Sequence, residues 1–189
     1  MTDDSLTERL PLAQGAAAGL GAYLLGYLIT YVWQGGSVEE RLAGFNFIAD
    51  LFGSEPIAVW QGVGWLFYNA HFVRTRITGG LGGPRSENFI AASDGGALAL
   101  LYLVPVVLIF AAGLTVARLA DADALADGAA AGVTVVLGYL PLALVGRFLF
   151  SYDGSVAPDL VTALLLAGLV YPLLFGALGG AAGSAVGSD

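Results

Sequence analysis

Five long runs of apolar residues constrain this chain more than any other feature of its sequence. They cover residues 12–33, 57–73, 97–119, 128–150 and 160–186. A membrane-spanning α-helix needs about 20 predominantly apolar residues to cross a hydrocarbon core about 30 Å thick. Four runs reach that length, and the second lies at its lower limit. We therefore expect an all-α polytopic membrane helix bundle with about five transmembrane helices, with the whole of 1–189 forming a single integral membrane domain.

The overall composition supports a membrane protein. Hydrophobic residues make up 57% of the chain and charged residues 12%, whereas soluble domains carry about 25% charged residues. The formal net charge is −8, and all seven basic residues are arginine. Without a basic patch, nucleic acid is excluded as an expected partner. An acidic surface without lysine suits concentrated salt, which screens self-repulsion, and indicates a halophilic source; a GC-rich genome is the alternative explanation.

A short amphipathic helix is expected between the first two runs. Residues 34–36 interrupt the apolar sequence, and Ser37 with Glu40 then has the spacing of a capping box. Apolar residues at helical spacing follow as far as Phe52. This pattern predicts a separate helix over about 38–52 that lies in the membrane interface.

Arginine positions predict the threading through the positive-inside rule. If all five runs span, the N-terminus is cytoplasmic and shares that side with five arginines: Arg9, Arg74, Arg76, Arg85 and Arg147. If 57–73 does not span, both ends lie outside, and the cytoplasmic arginines are Arg41, Arg74, Arg76, Arg85 and Arg147. Charge alone cannot distinguish these two arrangements. The five-span arrangement is the one expected, because Arg74 and Arg76 resemble stop-transfer charges.

The candidate binding residues are Tyr68, Asn69, His71 and Arg74. Asn69 and His71 lie inside an apolar run, where unpartnered polar groups are costly. Tyr68 and Arg74 are each three residues from His71, a spacing that places them on one helix face. Such a cluster could bind a lipid headgroup or small anion, or relay a proton. The alternative is that these residues anchor a helix end at the interface.

Each of the last three runs contains a proline, at Pro105, Pro141 and Pro172. A proline inside a helix removes one hydrogen-bond donor and can kink the helix. The kinks could merely shape the bundle, or they could line a cavity and act as hinges.

Two stretches of the sequence carry a resemblance to known proteins. Phe52-Gly-Ser-Glu-Pro56, followed by Gly64-Trp-Leu-Phe-Tyr-Asn-Ala-His71, resembles a family of small uncharacterised multi-pass membrane proteins of halophilic archaea. The recognisable motifs cover about residues 45–73, and the general layout fits most of the chain. The resemblance implies a membrane location and a layout, and no mechanism.

No enzyme signature is present, so we expect a protein that is not an enzyme and that needs no cofactor. The chain has no cysteine and one histidine, which argues against a metal site. The leading hypothesis is a structural or accessory component of the cell membrane, partnered by the lipid bilayer and forming a homo-oligomer or a subunit of a complex. Small residues recurring at Gly19, Ala22 and Gly26 favour close helix association. The alternative is a small-solute or ion transporter or channel.

Overall fold

The computed structural model describes residues 10–79, 83–93 and 96–185, and this part of the chain is mostly helical. Its five helices are α1 (Leu12–Leu51), α2 (Val59–Asn69), α3 (Gly96–Leu119), α4 (Leu125–Leu149) and α5 (Leu160–Ala185). Three short strands accompany them: β1 (Thr75–Ile77), β2 (Arg85–Glu87) and β3 (Val156–Pro158). All helices except α2 are long and apolar enough to cross a membrane.

Helices α4 and α5 pack so closely that glycine is required at their crossing. Gly132 faces Gly176, and Gly128 faces Gly180, and the two glycines on each helix are four positions apart. A Cβ atom added to Gly176 would lie 2.6 Å from the carbonyl oxygen of Gly132. Small residues at this spacing let two helix backbones approach, so the contact is made by van der Waals packing of the main chains.

The glycines of α1 also face inward. Gly15 lies against Thr134 and Gly19 against the backbone of Val135 in α4, while Gly26 lies against the Phe67 ring of α2. Ala22 is buried as well. The small residues that suggested association between copies of the chain are therefore used for packing within one chain.

The predicted interfacial helix over 38–52 is not a separate element, because α1 continues without a break from Leu12 to Leu51. Ser37 lies inside the helix and caps nothing. A glycine within a helix costs only about 1 kcal/mol, and Val38, which is buried against Gly62, holds this part of α1 in place. Tertiary packing thus outweighs the local signals for a helix start.

The predicted span over 57–73 is also corrected. Only Val59–Asn69 is helical, and at 1.5 Å per residue its 11 residues reach about 16 Å, half the thickness of a hydrocarbon core. The start is delayed because Ile57 bonds to the Asn46 side chain through both its N–H and its carbonyl group. The helix ends before Phe72, whose φ of 59° belongs to the left-handed region.

The three strands form one antiparallel sheet in the order β2–β1–β3. In it, Thr75 lies between Glu87 of β2 and Pro158 of β3. Because β3 immediately precedes α5, the sheet fastens the segment after α2 to the end of the bundle where α4 finishes and α5 begins. The glycine-rich region 78–96 contains β2; its residues 80–82 and 94–95 lie outside the described chain.

Each predicted proline kink coincides with a departure from regular α-helix. Before Pro105, α3 is a 3₁₀-helix over Gly96–Tyr102. Helix α4 is broken between Val133 and Val136, ahead of Pro141. In α5, a π-helical stretch over Ala163–Val170 precedes Pro172. A proline ring clashes with the carbonyl group one turn earlier, and a widened or broken turn relieves this clash.

Candidate functional site

Helix α2 runs into the bundle alongside the last turns of α4. The side chain of Gln61 donates a hydrogen bond to the Ser151 carbonyl group at 2.9 Å, and the Trp65 indole N–H donates to Phe150 at 2.7 Å. Further in, Tyr68 donates to the carbonyl group of Ala143. As the residue number rises along α2 it falls along α4, so the two segments are antiparallel.

After its innermost point, the segment that follows α2 turns back and leaves the bundle at the same end at which α2 entered it. The backbone reverses at Phe72, and the Arg74 carbonyl group accepts a hydrogen bond of 2.9 Å from the N–H of Asp159, just before α5. Strand β1 then pairs with β3. The segment 59–77 is therefore re-entrant: it penetrates the bundle without crossing it.

His71 occupies the innermost turn of this segment and is fully buried. Its Nδ1 atom lies 2.8 Å from the Phe67 carbonyl oxygen and its Nε2 atom 2.6 Å from the Tyr139 hydroxyl oxygen. A carbonyl oxygen can only accept, so Nδ1 carries a proton. Burial disfavours the charged imidazolium, so in the neutral ring Nε2 accepts the proton of Tyr139. Both nitrogens are thereby satisfied by protein atoms.

Several tyrosines surround His71. The Tyr171 ring centroid lies 5.0 Å from that of the imidazole, and the Tyr171 hydroxyl group donates to the Ala70 carbonyl oxygen at 3.4 Å. Tyr68 uses its proton on Ala143, so the Tyr23 hydroxyl group, 3.2 Å away, must be the donor between those two tyrosines. We call His71, Tyr23, Tyr68, Tyr139 and Tyr171 the His71 cluster.

Asn69 is fully buried, but its bonds serve the backbone of the re-entrant segment. Its amide nitrogen donates to the Val73 carbonyl group at 2.8 Å and also contacts the Thr75 hydroxyl at 3.2 Å. Its side-chain oxygen accepts from the N–H of Phe89 at 2.8 Å. Asn69 therefore holds the turn closed and joins it to the loop after β2.

Arg74 does not share a helix face with His71, because α2 has ended before both residues. The left-handed turn at Phe72 points the chain back outward, and Arg74 is exposed while His71 is buried. Of the four candidate residues, the fold thus brings Tyr68 and His71 together, gives Asn69 a role in the backbone turn, and separates Arg74.

The sequence did not single out the partners that complete the His71 cluster. Tyr139 and Tyr171 lie 68 and 100 residues from His71 and come from two other helices. The available signal was a tyrosine one or two residues before each of Pro141 and Pro172, near the irregular turns of α4 and α5.

A charged site lies at the outer end of the re-entrant segment. The Asp159 carboxylate accepts hydrogen bonds from the N–H and hydroxyl groups of Thr162, at 3.0 and 2.9 Å, and lies 3.6 Å from the Arg76 guanidinium. Burial alone would raise the pKa of Asp159, but the Thr162 hydrogen bonds and the positive charge of Arg76 outweigh it and lower the pKa. Asp159 caps α5 and anchors β1 to it.

Among the described residues, no group of three histidine, aspartate or glutamate side chains could hold a metal ion. Around His71 the interior instead presents hydroxyl, amide and imidazole groups that bond to one another and to backbone groups. These features define the class: a helical protein with four membrane-length apolar helices and a re-entrant segment packed among them.

The chain belongs to a family of unknown function, DUF7978, which matches residues 1–187. No curated protein and no solved structure matches it.

Proposed function

We propose that this protein is a structural or accessory component of the cell membrane, with its four long helices crossing the bilayer. The observation that carries the proposal is the closed state of the His71 cluster. His71, Asn69 and Tyr68 are at most 1% exposed, and protein atoms satisfy each of their hydrogen bonds. A transport path would need polar groups facing water, and these groups face one another.

Four crossing helices change the expected threading. With 57–73 re-entrant, the segment between α1 and α3 stays on one side together with the loop before α5. The positive-inside rule then makes that side cytoplasmic, with five arginines, and puts both ends of the chain outside. The sheet supports this arrangement because β1 and β2, between α1 and α3, pair with β3, between α4 and α5.

An assembly partner is supported by the far end of α1. At 1.5 Å per residue the 40-residue helix is about 60 Å long, twice the thickness of the hydrocarbon core. Near its end, Phe47 is 67% exposed and Leu51 68% exposed, and Phe52 just beyond is 82% exposed. Large apolar side chains outside the hydrocarbon region mark an interaction surface. An oligomer or a complex would cover them.

Reconstitution into liposomes tests the proposed function. Protein-containing vesicles loaded with a pH-sensitive dye should show no more proton or cation leakage than protein-free vesicles, and alkaline carbonate should leave the chain in the membrane pellet. In mild detergent, the Phe47→Ser, Phe52→Ser double variant should give a smaller particle mass than the wild type. Leakage that depends on the protein would overturn the proposal.

A transporter or channel is the second candidate, favoured by one observation. Irregular backbone at membrane depth is tolerated where it is buried in protein or lines a cavity, and it frequently marks transport sites. The re-entrant turn at His71 lies beside the π-helical stretch of α5, which ends at Val170. In this case leakage in the liposome assay should be lost in His71→Ala while the variant still inserts into the membrane.

A further inference from the structure

A cavity of about 230 Å³ lies outside the His71 cluster, between the second half of α1, the start of α2 and the start of α3. Its polar edge comes from α1 alone, through Gln34, Ser37 and Arg41. These residues are three and four positions apart and therefore share one helix face. They begin directly after the apolar run that ends at Trp33, which is the level of a membrane–water interface.

Gln34 brings a polar group to the cavity wall. Its side chain is only 9% exposed and lines the cavity. In the described part of the chain its amide group has no hydrogen-bond partner. An amide group that lines a cavity without a protein partner is free to bond to a ligand there.

The charge of the cavity selects an anion. Arg41 is the only charged residue in its described lining, and its guanidinium group makes no ion pair with a described carboxylate. Glu39 and Glu40 lie on the other face of α1 and do not line the cavity. Ser37 is exposed beside Arg41. A guanidinium flanked by hydroxyl and amide groups suits a phosphate oxygen.

The opposite wall is apolar. Leu66, Phe89 and Leu98 line it together with Trp65, whose indole N–H is already used on the Phe150 carbonyl group. The cavity is smaller than the roughly 300–1,000 Å³ of most small-molecule sites. It therefore accommodates a headgroup phosphate and the beginning of one apolar chain, and not a whole metabolite.

We propose that this cavity binds the phosphate group of an anionic membrane lipid against Arg41, Ser37 and Gln34, with the adjoining part of an acyl chain on the apolar wall. The assignment rests on the proposed function, because it requires the chain to reside in a membrane. It adds a ligand class and a site that the His71 cluster does not include.

Native mass spectrometry of the detergent-solubilised chain tests this site with three probes: phosphatidylglycerol, phosphatidylcholine and inorganic phosphate. Arg41→Gln should weaken phosphatidylglycerol binding about tenfold or more, because it removes a charge-assisted hydrogen bond. Arg118→Gln is the matched control, since Arg118 is also exposed but lies at the other end of the bundle, and binding should be unchanged. Gln34→Leu should weaken binding about threefold or more while raising the thermal midpoint of the lipid-free protein.

Several results would overturn the site. The first is that Arg41→Gln and Arg118→Gln bind phosphatidylglycerol equally well. The second is that the wild type binds phosphatidylcholine as tightly as phosphatidylglycerol, or binds no phosphatidylglycerol at all. The third is that inorganic phosphate binds as tightly as the lipid, which would assign the site to free phosphate. Carbonate extraction of each variant is scored separately. A wild-type chain released by carbonate refutes the membrane function itself, whereas lost lipid binding in a chain that stays in the membrane refutes only the lipid site.

Discussion

The Nε2 atom of His71 accepts a hydrogen bond of 2.6 Å from the Tyr139 hydroxyl group, joining the tip of the re-entrant segment to the middle of α4. Tyr139 is ten residues before Leu149, so this bond lies about 15 Å inside the end of α4. It is the innermost polar link between the segment 59–77 and α4, and it closes the imidazole to other ligands.

Tyr139→Phe should destabilise the protein by about 0.5–2 kcal/mol, because it leaves the buried Nε2 atom without a donor. Equilibrium unfolding in mixed micelles of denaturing and mild detergent measures the effect. Tyr31→Phe is the matched control: Tyr31 is 39% exposed, and its loss should change the free energy of unfolding by less than about 0.5 kcal/mol. Equal effects of the two variants would contradict the role assigned to the His71–Tyr139 bond.

Gly176→Ala should cost about 1–3 kcal/mol, because the added Cβ would lie 2.6 Å from the backbone oxygen of Gly132 and force α4 and α5 apart. Gly21→Ala provides the comparison, since no atom lies within 4 Å of a Cβ at this position of α1. That variant should be more stable than the wild type by up to about 1 kcal/mol. The same unfolding assay compares them, and a neutral Gly176→Ala would refute the close crossing.

Single-cysteine variants test the threading, since the chain has no cysteine of its own. Ala43→Cys and Ser86→Cys should both react with a membrane-impermeant maleimide from the same side, because the re-entrant segment between them does not cross. Asp123→Cys, in the turn between α3 and α4, should react only from the opposite side. Labelling of positions 43 and 86 from opposite sides would restore the five-span arrangement.

Asp159→Ala should lower stability by about 0.5–2 kcal/mol at neutral pH, since it removes the cap of α5. The pKa of Asp159 is lowered in the folded state, so its contribution is present above the pKa of the unfolded chain and is lost as the pH falls through the folded value. The thermal midpoint of the wild type should therefore fall more steeply at acid pH than that of Asp159→Ala. Asp159→Asn should keep much of the cap without this pH dependence, and parallel curves for all three proteins would argue against the ionised cap.

The limits of the last three helices could be predicted closely from the sequence. The runs 97–119, 128–150 and 160–186 correspond to Gly96–Leu119, Leu125–Leu149 and Leu160–Ala185, with residue 186 outside the described chain. Twenty or more consecutive apolar residues are a local signal that needs no knowledge of neighbours. The irregular turns near the three prolines could be anticipated for the same reason, since a proline disrupts a helix through its own ring.

The first third of the chain shows where local signals fail. Ser37 and Glu40 have the spacing of a capping box, yet α1 passes through them, because Val38 packs on Gly62 of another helix. The apolar run 57–73 has a composition compatible with spanning, yet residues 62–71 are buried within the protein. Hydrophobicity cannot distinguish a helix buried in protein from one dissolved in lipid.

The sequence by itself determined that most of this chain is apolar helix and that its rare polar groups would have to find partners. Only the tertiary structure decided which partners those are: the Phe67 carbonyl and the Tyr139 hydroxyl group for His71, and none within the described chain for Gln34. The physical reason is the distance along the sequence over which each interaction acts. Helix formation in an apolar run depends on neighbouring residues, whereas a hydrogen bond between residues 68 positions apart exists only after the helices have packed.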